Sequence, residues 1–142
     1  MPLAPPSGSS GTQNAVTTTG DTGAKVASFS GITQRNLSNK GAIVTALFGT
    51  ISGTLPTCLM FIEWSPDNGT TWHSFGAASA TVNTTGNSIS IAIGVGFLAF
   101  ASGATTSSAI NQQLPLVWRA SMTIGGTTPS FALNSVQINL LI

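Results

Sequence analysis

The strongest pattern in the chain lies between Cys58 and Trp72. Cys58, Met60, Ile62 and Trp64 share one parity; Leu59, Phe61 and Glu63 share the other. A period of two predicts a β-strand. Ser65-Pro-Asp-Asn-Gly69 follows with turn chemistry: Pro66 presets φ, Asp67 and Asn68 tolerate the turn, and Gly69 takes positive φ at little cost. Trp72 and Phe75 then open a returning strand. The stretch reads as a hairpin at the centre of an all-β domain.

The same reading extends along the chain. Lys25 to Ser30 predicts a first strand, and Gly31 to Lys40 a polar loop. Ala42 to Gly49 is apolar on both parities, which predicts a central strand or one covered on both sides. Gly49 to Thr57 reads as a turn into the hairpin. Ile89, Ile91 and Ile93 against Ser88, Ser90 and Ala92 predict a half-buried strand. Residues 94–115 form a long Gly/Ser/Thr/Asn-rich stretch, read as a loop of the kind that usually makes contacts. Leu116, Trp118, Ala120, Met122 and Ile124 alternate with Val117, Arg119, Ser121 and Thr123, a clear half-buried strand. The last strand begins with Phe131 and Leu133 and continues on the opposite parity with Val136, Ile138, Leu140 and Ile142. That slip predicts a β-bulge near Asn134-Ser135, and a paired C-terminus.

One motif occurs twice. Ile51-Ser-Gly-Thr-Leu-Pro-Thr57 and Ile124-Gly-Gly-Thr-Thr-Pro-Ser130 each precede an apolar run. Gly permits a turn that a Cβ would obstruct, and Pro enters the next strand without donating to the ladder. Two equivalent hairpin corners are expected. Short strands, Gly/Pro turns and no helical period together predict an antiparallel β-sandwich or jelly-roll-like domain over 25–142. Residues 1–24, rich in Pro, Gly, Ser and Thr, predict a flexible N-terminal arm.

Composition narrows the function. Hydrophobic residues make up 42% of the 142-residue chain, enough for a core in one domain. Charged residues are only 5%, while Ser and Thr number 38. Free monomers use charge to stay apart, so a nearly neutral, hydroxyl-rich surface suits life inside an assembly. Four scattered cations form no basic patch, which argues against nucleic acid as a partner. The apolar run from Ile89 to Ala101 is too short and too interrupted to span a bilayer. Met1-Pro-Leu-Ala-Pro-Pro has no signal-peptide pattern. Cys58, the only cysteine, allows no internal disulfide and reads as a small buried hydrophobe.

Candidate chemistry is sparse. Glu63 and Asp67 are four residues apart through a turn, a poor match to the facing pair that glycosidase chemistry needs. Glu63 and Arg119 instead suggest a cross-strand ion pair. His73 is the only histidine, so an imidazole metal site has no second ligand. Asp67, His73 and Ser65 or Ser74 could be drawn as a triad, yet nothing supplies a strained elbow or an oxyanion hole. Asp67-Asn68-Gly69 opens like a calcium loop without the acidic series that follows one. Trp64, Trp72, Phe75 and Trp118 read first as core. No catalytic residue, cofactor or metal is expected.

The run Ser52-Gly-Thr-Leu-Pro-Thr57, an apolar strand, Glu63-Trp-Ser-Pro-Asp-Asn-Gly-Thr-Thr-Trp72, then Leu114-Pro-Leu-Val-Trp-Arg119 and Gly125-Gly-Thr-Thr-Pro-Ser-Phe131 resembles small β-sandwich virion proteins of tailed bacteriophages, capsid decoration or cement proteins among them. The resemblance covers roughly residues 26–142 and brings no catalytic residues. It implies a non-enzymatic protein on the outer capsid surface. Its partners would be the major capsid protein and further copies of itself, as a dimer or trimer. The arm 1–24 and the loop 94–115 are the expected contact regions. Similar Ser-Pro-Asp-x-Gly-x-x-Trp hairpins occur in tail and adhesion modules. The alternative implied is therefore a tail or fibre module that binds carbohydrate through exposed Trp or Phe.

Overall fold

A computed structural model of the chain describes residues 16–18, 22–78, 82, 85–97 and 106–141. Among these there is no helix. The strands are β1 (Val16–Thr18), β2 (Gly23–Lys25), β3 (Phe29–Ser30), β4 (Gln34–Arg35), β5 (Gly41–Trp64), β6 (His73–Ala78), β7 (Ser88–Gly94), β8 (Thr106–Ile110) and β9 (Val117–Leu141).

The all-β class holds, with nearly all pairing antiparallel. The layout differs from two separate sheets. The strands join in one hydrogen-bonded sheet, ordered β1-β9-β5-β7-β8, with β2, β3 and β4 also on β9 and β6 on β5. Two strands of 24 and 25 residues, β5 and β9, pair along their whole length. The first half of β5 also carries β7, and its second half carries β6. Ala42, Val44, Ala46 and Phe48 from one half and Cys58, Met60 and Ile62 from the other enter a single core with Trp118, Met122, Phe131 and Leu133. The Phe48 and Phe131 rings meet edge to face at 5.7 Å.

The hairpin is present as expected: Trp64 pairs with His73 and Glu63 with Ser74. The bulge is present too. The ladder steps from Leu47–Ser135 to Phe48–Leu133 and leaves Asn134 out. Leu133 and Val136, on opposite parities, are thereby both buried. Leu141 pairs with Gly41; Ile142 lies outside the described residues.

Several expectations change. Gly49 to Thr57 is no turn between strands, because β5 runs straight through it. Both copies of the repeated motif lie mid-strand and face each other across the β5–β9 ladder, through Ser52–Ser130, Thr54–Thr127 and Thr57–Gly125. The expected first strand breaks into β2 and β3, each paired with β9. Strand β7 is buried on both faces, including Ser90 and Ala92, and both its edges are paired, with β5 and β8. The buried Ser90 hydroxyl is bonded to Thr45 Oγ1 at 2.7 Å, which offsets its desolvation. The loop 94–115 contains β8, which pairs parallel to β7 and buries Ile110. Of the arm 1–24, residues 1–15 and 19–21 lie outside the described residues. Val16–Thr18 and Gly23–Ala24 pair with β9.

Candidate functional site

Two features stand out on the surface. The first is the outer face of the hairpin. Because Cys58, Met60 and Ile62 point inward, Phe61 and Glu63 point outward, and the ladder sets them opposite Ser121 and Arg119. Glu63 Oε2 accepts hydrogen bonds from Arg119 Nε and Ser121 Oγ, both at 2.6 Å. The Arg119 and Glu63 side chains are only 17% and 16% exposed. The guanidinium also lies 3.9 Å from the centre of the Trp72 ring, a cation–π contact that uses the ring's negative face. The expected ion pair therefore exists, and it is better covered than a surface pair. Residue pattern missed Ser121 and Trp72 as its partners.

The turn that presents Trp72 is held by its own side chains. Ser65 Oγ accepts from Gly69 N at 2.7 Å and donates to Asp67 Oδ1 at 2.8 Å. Asp67 Oδ1 also accepts from Thr71 N at 2.6 Å, and Trp72 Nε1 donates to Gly69 O at 3.0 Å. The Thr71 hydroxyl and amide, with help from Ser65, pull the Asp67 carboxyl from 3.8 down to about 2. Asn68 takes φ +60° and Gly69 φ +100°, as the turn chemistry requires. Arg35 Nη2 donates to Asn68 Oδ1, tying β4 to the turn. Asp67 is thus occupied in shaping the turn. His73 lies against the Trp64 ring at 5.3 Å, not beside Asp67 as a triad would need.

Beside the ion pair is a shallow cleft of about 240 Å³, walled by Phe29, Ser30, Phe61, Glu63, Ser121 and Thr123 among others. Trp64, Trp72 and Phe75 are half-buried and Trp118 is fully buried. Burial pushes the Cys58 thiol up to about 12. Its Sγ–H donates to Met122 Sδ at 3.8 Å, and a thiol held neutral this way is inert packing. Among the described residues no three His, Cys, Asp or Glu side chains gather closely enough to hold a metal ion.

The second feature is the middle of the β5–β9 ribbon, where the two motif copies meet. Gly53 (φ +118°) abuts Thr128 and Pro129; Gly126 (φ +109°) abuts Leu55 and Pro56. The two motif copies interlock reciprocally, about a local two-fold through the Thr54–Thr127 pair. Each also forces one non-glycine residue into the left-handed region, Leu55 at φ +50° and Thr128 at φ +47°. Leu55 is left 83% exposed.

No family model, curated protein or solved structure matches this chain.

Proposed function

We propose that the chain is a virion structural protein, a capsid decoration or cement protein. It binds the outer surface of the major capsid shell and stabilises it, acting as a homo-oligomer. The observation that carries this reading is the double bulge in the middle of the β5–β9 ribbon. A leucine 83% exposed stands on a rigid double bulge, in a backbone region that costs a non-glycine residue on the order of 1–3 kcal/mol. Strain of that kind persists only where surrounding structure enforces it, and here it presents an apolar side chain outward. The surroundings favour dry contact: Ser52, Thr54, Thr127 and Thr128 are exposed beside it, and no charged residue lies in either motif.

Other apolar positions support contact at several places. Leu37 is 86% exposed, and Leu116, 60% exposed, is tied to the same loop by the Asn36 N to Leu116 O bond. Gly94, Val95, Phe97 and Gln113, all within the expected contact region 94–115, line a groove of about 410 Å³ with Lys40 and Leu141. Repeated weak contacts of this type gain strength through avidity on a symmetric shell.

The test is occupancy on tailed-phage heads that carry the gene, measured by cryo-electron microscopy and by protein ratio after sedimentation. Leu55→Asp puts a charge at the centre of the proposed contact, and occupancy should fall at least roughly tenfold, as for loss of a buried interface anchor. Full occupancy by this variant, or wild-type protein absent from the heads, would overturn the reading.

A further inference from the structure

We infer that the cleft beside Glu63 is a binding site for a neutral saccharide, a site that does not include the exposed Leu55. The argument begins with the carboxylate. Both protein donors, Arg119 Nε and Ser121 Oγ, reach the same oxygen, Oε2. A carboxylate offers about four lone-pair sites, so Oε1 keeps accepting capacity, and Glu63 is one of the residues that wall the cleft. Arg119 already balances its charge. A cation entering the cleft would meet the guanidinium as well as the carboxylate, and gains little. A neutral hydroxyl group can donate to Oε1 without that penalty.

The other walls suit the same ligand. Phe61, half-buried on the outer face, gives an apolar surface for the C–H face of a sugar ring. Ser30 and Thr123, both exposed, add hydroxyls that donate or accept. Ser30 sits opposite Ser121 in the β3–β9 ladder, so it belongs to the same face as Glu63. A cleft of about 240 Å³ is smaller than the roughly 300–1,000 Å³ of pockets for drug-sized ligands, and suits one or two rings. The site is prebuilt: Trp72 and Ser121 hold the ion pair in place, so little ordering is needed on binding.

The site also carries its own reporter. Trp72 stacks on Arg119, which holds Glu63. Ligand at Glu63 is expected to shift tryptophan fluorescence. The experiment titrates the full chain with methyl glycosides of glucose, galactose, mannose and N-acetylglucosamine, with sorbitol and methylammonium chloride as comparison arms. Binding is read by fluorescence and by saturation-transfer NMR. At least one glycoside should bind saturably, and more tightly than either comparison compound. Glu63→Gln should weaken it roughly tenfold or more, the size expected for a hydrogen bond to a charged acceptor. Should that change unfold the protein, Ser30→Leu decides: it plugs the cleft from an exposed position and should abolish binding without altering the melting temperature. No saturable glycoside binding, equal or tighter binding of sorbitol or methylammonium, or binding that survives Ser30→Leu would overturn the inference. None of these results bears on occupancy of phage heads, so the two proposals fail independently.

Discussion

At the scale of single residues, Asp67 shows how a lone carboxylate is spent on shape. Its hydrogen bonds to Thr71 and Ser65 bring its pKa from 3.8 to about 2. The folded value lies below the unfolded one. The stability it contributes is therefore complete above the ordinary value and is lost as pH falls from there to about 2. Asp67→Asn should lower the melting temperature at pH 5 and above while leaving it similar near pH 2, which flattens the acid slope relative to wild type. Melting curves at pH 2, 3, 4 and 5 check this; an unchanged acid slope would mean that the turn bonds persist in the unfolded chain. Parity alone foretold the Glu63–Arg119 pair, because each falls on the non-core side of a strand with clear alternation. It could not foretell Trp72 as the lid on Arg119. A tryptophan just past a turn reads as core, and only the turn's three-dimensional course brings its ring over the neighbouring strand.

Among the elements, the repeated motif is the instructive case. Gly and Pro in Ile-x-Gly-Thr-x-Pro mimic a hairpin turn in sequence, and local chemistry cannot distinguish a turn from a double bulge inside a long strand. The distinction depends on the other copy, 73 positions away, supplying the carbonyl and proline against which each glycine packs. The symmetry extends outward. Ile51 N donates to Thr85 Oγ1 at 3.0 Å, and Ile124 N donates to Ser28 Oγ at 2.9 Å. At equivalent points of the two copies, a hydroxyl from a neighbouring loop replaces a missing strand partner, which keeps the strand edges satisfied. The Asn134 bulge, by contrast, was legible, because a parity slip within one apolar run has no other explanation. Substituting Gly126→Ala would put a Cβ 2.6 Å from Leu55 O and 3.0 Å from Pro56 Cα, in a strained φ. Gly86 has a similarly positive φ but open space around it. Chemical denaturation should show Gly86→Ala costing on the order of 1 kcal/mol from backbone strain alone, and Gly126→Ala at least about 2 kcal/mol more. Equal costs would mean that the ribbon opens freely at the double bulge.

The whole molecule depends on β9. It pairs with β5 on one side, and on the other only with the short pieces β1 to β4 from the N-terminal quarter of the chain. Composition could place that quarter outside the core but not along an edge, because pairing by backbone leaves no apolar signature. The parallel β7–β8 pairing was hidden for the same reason: Thr106–Ile110 has one large apolar residue, and its position is fixed by neighbours far off in sequence. An uncovered edge of 25 residues with few charges is a template for pairing with other chains. The N-terminal pieces therefore act as a strap that keeps this edge occupied. A variant starting at Gly31 removes β1, β2 and β3 and leaves the core strands β5 to β9 intact. It should associate with rising concentration in size-exclusion and light-scattering measurements, at concentrations where the full chain does not change size. Hydrogen exchange should speed at β9 amides that face the strap, around Met122, Phe131 and Leu133, while the β5-facing amides of β9 stay protected. If the shortened chain kept the size and exchange pattern of the full one, the strap would be dispensable and the edge protected by its own twist and bulges.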